Sequence, residues 1–107
     1  MNEPVCGIGP DARTDLAEHV LWLRGQAGPD TAHRFAEAVD RSLLEIAAAT
    51  GFGSPIESRW PELQHLRKGR VAGFRDLLIF YLPRRDGIYV VRILHAAQDW
   101  FAQLDIQ

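Results

Sequence analysis

A chain of 107 residues with 47% hydrophobic and 24% charged side chains folds as one globular domain, long enough to bury about two-thirds of its unfolded surface but with no room for a second core. Its apolar runs fall far short of the roughly 18 residues of a membrane span. Met1-Asn2-Glu3-Pro4 carries no basic leader region, so a cytoplasmic location is expected.

The net charge of −2 conceals an uneven distribution. Residues 1 to 57 hold four Lys or Arg against nine Asp or Glu, a balance of −5, and residues 58 to 107 hold eight against five, +3. Arg59, Arg67, Lys68, Arg70, Arg75, Arg84, Arg85 and Arg92 are therefore candidates for a patch facing phosphates or an acidic protein. Charge alone favours the plainer reading, an ordinary solvated surface. The single cysteine, Cys6, makes no internal disulfide and reads as a bystander.

Val5, Gly7 and Ile8 suggest a short edge strand that two glycines weaken. Pro10 and Asp11 open a helix with Ala12, Leu16, Val20 and Leu23 as its apolar stripe, while Asp11 and Asp15 suit the positive end of its dipole. Gly25 to Pro29 ends it. Asp30 is a good N-cap for a second, longer helix, in which Ala32, Phe35, Ala36, Val39, Leu43, Ile46 and Ala47 recur at helical spacing up to Thr50, with Gly51 as the stop. Residues 51 to 61 form a loop anchored by Trp60.

A strand through Leu66 to Val71 follows, then a hairpin of two strands, Leu77 to Leu82 and Ile88 to His95, around the turn Pro83 to Gly87. Both hairpin strands are apolar on both faces. Strict alternation puts Ile88, Val90, Arg92 and Leu94 on one face and Tyr89, Val91, Ile93 and His95 on the other. The order β-α-α-β-β-β with a short tail from Trp100 to Leu104 predicts an α+β fold: a helical hairpin over one face of a small, mainly antiparallel sheet. One helical layer cannot cover a sheet that is apolar on both sides, so a partner is expected on the other face.

Four pieces of the sequence resemble the RelE/ParE superfamily of bacterial toxins, over roughly residues 10 to 105. They are Pro10-x-Ala12-x-x-Asp15-Leu16, Ala32-x-Arg34-Phe35, Gly51-Phe52-Gly53-Ser54-Pro55, and Val71-x-Gly73-Phe74-Arg75-x-x-Leu78-Ile79-Phe80-Tyr81 followed by Ile88-x-Val90-Val91-Arg92-Ile93-Leu94-His95-x-x-x-Asp99. Together, in this order and spacing, they are specific for the superfamily, and the last is most similar to the ParE branch. The resemblance implies a toxin wrapped by the disordered C-terminal segment of a cognate, ParD-like antitoxin in a hetero-oligomer, without cofactor. ParE relatives poison DNA gyrase without being hydrolases, whereas RelE relatives cut messenger RNA on the ribosome. His19 stands where family helices usually carry an aliphatic residue.

RNA cleavage needs a base, an acid and cations for the phosphorane charge. Arg67, Arg75, Arg92 and His95 are the candidates here, but after Arg92 there is no Tyr of the kind RelE-type enzymes use. The non-catalytic branch is therefore the expectation. It assigns Arg67, Arg70, Arg92, Asp99 and Trp100 to the target, and Trp22, Phe80, Tyr81 and Trp100 to the antitoxin. Plainer readings stand beside these. Arg92 is a functional cation or half of a structural pair with a carboxylate such as Asp99. His95 reads first as a strand-end histidine bonded to backbone, Asp99 as an N-cap, and the three tryptophans as packing anchors. The four scattered histidines make a metal site improbable.

Overall fold

The structure is a computed structural model and describes residues 3–51, 53–57, 60–98 and 104. Strand β1 (Val5–Ile8) precedes two helices, α1 (Pro10–Ala27) and α2 (Pro29–Ala48). The two-residue β2 (Ser54–Pro55) and a 3-10 turn at Pro61–Leu63 then lead into β3 (Arg67–Val71), β4 (Phe74–Arg84) and β5 (Gly87–His95). The sheet order is β1-β5-β4-β3-β2, with β1 parallel to β5 and every other pairing antiparallel. This is the expected α+β architecture, with the helical hairpin on one face.

The element ends differ from expectation for local reasons. Helix α1 runs through Gly25, because the reversal is made by Gly28, whose φ of 91° only glycine adopts readily. Gly28 also stands at the N-cap of α2 with Pro29 opening the helix, so Asp30 lies in the first turn and is not the cap. The loop after α2 gains the short edge strand β2. The hairpin turn shrinks from five residues to two, since Arg84 pairs with Gly87. Gly7 in β1 and Gly9 just after it are not a weakness: the Tyr89 ring lies against them, and a Cβ on Gly9 would stand 2.7 Å from the Tyr89 hydroxyl.

Along β4 the alternation is regular: Leu77, Ile79 and Tyr81 face the helices, and Leu78, Phe80 and Leu82 face away. Along β5 it is broken. Phe80 pairs with Arg92 and Tyr81 with Val90, so Val91 is an extra residue, and this bulge shifts the phase of the strand. Ile88, Val90 and Ile93 therefore share the helix face while Val91 and Leu94 lie on the other, correcting the strict alternation read from the sequence.

The helix-face core joins these strand residues to Ala12 of α1 and to Phe35, Ala38, Val39, Leu43, Ile46 and Ala47 of α2. Phe35 makes an edge-to-face contact with Phe74, ring centroids 5.1 Å apart. The second face is not left for a partner. Ile56, Leu66 and Leu104 are buried against Leu78, Phe80, Leu82 and Leu94, with Trp60, Leu63 and Val91 half-buried beside them. The chain between β2 and β3 supplies most of this second layer, with the short 3-10 turn its one regular piece among the described residues.

Candidate interaction site

Strand β1 ends at Ile8, opposite Val90, so β5 continues past its neighbour. Backbone groups on such an edge need partners, and α1 supplies them with side chains. Asp15 Oδ2 accepts the Ile93 N–H at 2.9 Å, and His19, one turn on, donates Nε2–H to the Ile93 carbonyl at 3.0 Å. Because a carbonyl only accepts, Nε2 carries the hydrogen in this bond. Asp15, 6% exposed, also receives Arg92 in a two-pronged pair, Nε to Oδ2 at 2.7 Å and Nη2 to Oδ1 at 2.8 Å. The hydrogen bond that Arg92 donates to Asp15 raises the Arg92 pKa above its already high value. Arg92 is thus half of a structural pair with a carboxylate from α1, while Asp99, the partner suggested by the sequence, lies outside the described residues. His19 also meets the Phe35 ring edge-on, which is how a histidine is accommodated on the inner side of this helix.

A second set of polar ties holds the turn after α2. The Tyr81 hydroxyl donates to the Thr50 carbonyl at 2.9 Å and accepts the Gly53 N–H at 3.0 Å. Arg67, opposite Tyr81 in the ladder, donates Nη2 to the carbonyls of Gly51 and Gly53. A Cβ on Gly53 would stand 2.6 Å from both the Lys68 carbonyl and the Tyr81 hydroxyl, so glycine at this position is dictated by close approach. Arg67 is accordingly a loop clamp.

Phe80 and Tyr81, expected to meet the antitoxin, are each 0% exposed. Their rings lie in opposite cores of the chain itself, because consecutive residues of a central strand point to opposite faces. That assignment is corrected: neither ring offers surface to a partner. Trp22, by contrast, is 63% exposed on α1. It lines a cleft of about 310 Å³ together with His19, Leu23, Phe74, Arg75 and His95, between the end of α1 and the start of β4.

Of the four residues an RNA-cutting site would use, the cleft brings together Arg75 and His95 only. His95 Nδ1 accepts the Ala97 N–H at 3.0 Å, the backbone bond expected of a strand-end histidine. Arg70 is exposed and donates to the Arg75 carbonyl. Asp99 and Trp100, assigned to the target, lie outside the described residues, as does Arg59 of the basic stretch. The Asp15–Arg92 tie escaped the sequence reading. Its signal was the i, i+4 spacing of Asp15 and His19 beside the apolar stripe of α1.

Comparison with known proteins agrees with this geometry. Residues 8–100 match the family model described as the ParE toxin of the type II toxin–antitoxin system parDE. Among solved structures, the chain is similar to a chromosomal ParDE toxin–antitoxin system from P. aeruginosa, with a TM-score of 0.68 and 14% identity over 87% of this chain and 96% of that one. No curated protein matches it in sequence. No helix among the described residues is long and apolar enough to cross a membrane. With the family model spanning most of its length, the chain belongs to the ParE toxin family of type II toxin–antitoxin systems.

Proposed function

We propose that this protein halts growth by binding DNA gyrase, that it cleaves no RNA, and that a cognate ParD-like antitoxin neutralises it in a cytoplasmic hetero-oligomer. The observation that carries the binding reading is the engagement of the arginines. Arg92 is held by Asp15 and Arg67 by the carbonyls of Gly51 and Gly53. An RNase must gather a base, an acid and cations around one phosphate. Two of the four candidates for that work are tied elsewhere. Of the remaining two, His95 already receives a backbone N–H on one ring nitrogen. The surface left for a target includes exposed Arg70 and Arg75 and the Trp22 cleft. That surface suits recognition of a macromolecule better than bond cleavage.

Two assays with the purified protein test this reading. It predicts inhibition of gyrase supercoiling and no cuts in messenger RNA on translating ribosomes. Ribosome-dependent cuts that disappear in His95→Ala, with gyrase unaffected, would replace it with the RelE-like endoribonuclease reading.

A further inference from the structure

The cleft between the end of α1 and the start of β4 combines two kinds of lining. Its apolar part is the buried Leu77, the half-buried Phe74 and the largely exposed Trp22. A flat ring laid against Trp22 would take apolar surface of both partners out of water.

The rest of the lining is polar and carries both signs. Arg75 and Asp76 are consecutive and exposed, and neither side chain has a hydrogen bond or ion pair among the described residues. Their backbone is pinned all the same: the Arg75 carbonyl accepts from Arg70 and the Asp76 carbonyl from the Ala96 N–H, each at 2.6 Å. Two unanswered charges of opposite sign therefore stand on a fixed piece of strand. His95 adds a donor of fixed sense. Its Nδ1 accepts the Ala97 N–H, so the hydrogen of the neutral ring is on Nε2. In the ladder His95 is paired with Leu77, which keeps it beside the strand that carries Arg75 and Asp76.

A volume of about 310 Å³ lies at the small end of ligand sites and holds a body of about a dozen non-hydrogen atoms. Within that size, a ligand matching the whole lining needs an anion for Arg75 and His95, a cation for Asp76, and a flat apolar body for Trp22, Phe74 and Leu77. A nucleotide brings an anion and a ring but no cation. An aliphatic amine brings only the cation. We propose that the cleft binds a free amino acid with an aromatic side chain: its carboxylate on the Arg75 guanidinium and His95 Nε2–H, its ammonium on the Asp76 carboxylate, its ring against Trp22. This goes beyond the toxin reading and does not depend on it.

The test is NMR of the labelled full chain, titrated with L-phenylalanine, N-acetylphenylalanine, phenylalaninamide and alanine. The acetyl compound removes the cation and stands for a peptide C-terminus, the amide removes the anion and stands for an N-terminus, and alanine removes the ring. Expected are saturable shifts at the Trp22 indole N–H and at the amides of Phe74 to Leu77 and of His95, with a Kd of about 1 mM or tighter. Phenylalanine should bind at least about threefold tighter than either blocked compound, the scale of a partly exposed charge contact, and alanine should not bind. Asp76→Asn should erase the advantage over N-acetylphenylalanine, and Arg75→Gln the advantage over phenylalaninamide. Both positions are exposed, and an unchanged denaturation midpoint checks that the variants fold. Trp22→Ala should weaken phenylalanine at least about tenfold. A blocked compound bound as tightly as phenylalanine would put a peptide end in the cleft and overturn the free amino acid. Shifts centred elsewhere, alanine bound as tightly as phenylalanine, or no saturation by about 10 mM would overturn the site itself.

Discussion

On one face of the sheet, Leu77, Ile79, Tyr81, Ile88, Val90 and Ile93 meet a regular helix that returns to the sheet at every turn. On the other, Leu78, Phe80, Leu82 and Leu94 meet Leu104 and, from irregular chain, Ile56 and Leu66. The same strands feed both cores with alternate side chains, yet the covers hold differently. The helix cover is fixed by packing along a continuous stripe and, at its margin, by the Asp15 and His19 bonds to β5. The second cover begins at the Thr50 to Gly53 turn, which Tyr81 and Arg67 clamp from within the sheet. Apolar burial selects no geometry by itself, so the irregular cover depends on polar ties at its start where the helical cover depends on periodicity.

The sharpest way to break this comparison is to hollow each core in turn. Phe35→Ala should cost about 3–5 kcal/mol, because the ring is fully buried between α2 and the sheet, and Leu66→Ala about 2–3 kcal/mol, because its irregular surroundings can collapse inward. Chemical denaturation measures both, and equal losses would show that the second cover is as rigid as the first. Asp15→Ala should cost about 3 kcal/mol, the lower end for a broken buried pair since Arg92 keeps 19% of its side chain in water. Hydrogen exchange should show the loss at the Ile93 amide. An unchanged rate there would mean that α1 is held by packing alone.

Tyr81→Phe keeps the ring but leaves the Thr50 carbonyl and Gly53 N–H without their partner, at about 1–3 kcal/mol. The extra proteolysis that results should appear between residues 50 and 66 and spare α1. Arg84→Ala and Arg85→Ala, on exposed positions at the β4–β5 turn, should each change stability by less than about 0.5 kcal/mol. Their effect on antitoxin affinity should be smaller than that of Trp22→Ala, which removes an exposed aromatic. The opposite ranking would show that charge holds the complex.

How much of this was legible in the sequence follows from the same contrast. Helix α2 was readable because Phe35, Val39, Leu43 and Ile46 recur with its period, and β4 because it alternates without a break. The phase shift at Val91 was hidden: with Val, Ile and Leu on both sides of β5, a bulge leaves no polar residue out of place to betray it. The cover of the second face was hidden too, since Ile56 and Leu66 follow no period. The partner of Arg92 lies 77 residues away in the chain, a contact that no local pattern encodes.

On the proposed binding mechanism, Arg67 and Arg92 serve the fold, and Arg75 and His95 alone do not make a nuclease. The most direct measurement is growth arrest by an Arg75→Ala/His95→Ala double variant, checked for folding by its denaturation midpoint, beside a parallel assay of messenger RNA integrity. Arrest with messenger RNA intact is expected for both the variant and the wild type. Wild-type arrest accompanied by messenger cleavage, with both lost in the folded variant, would contradict it.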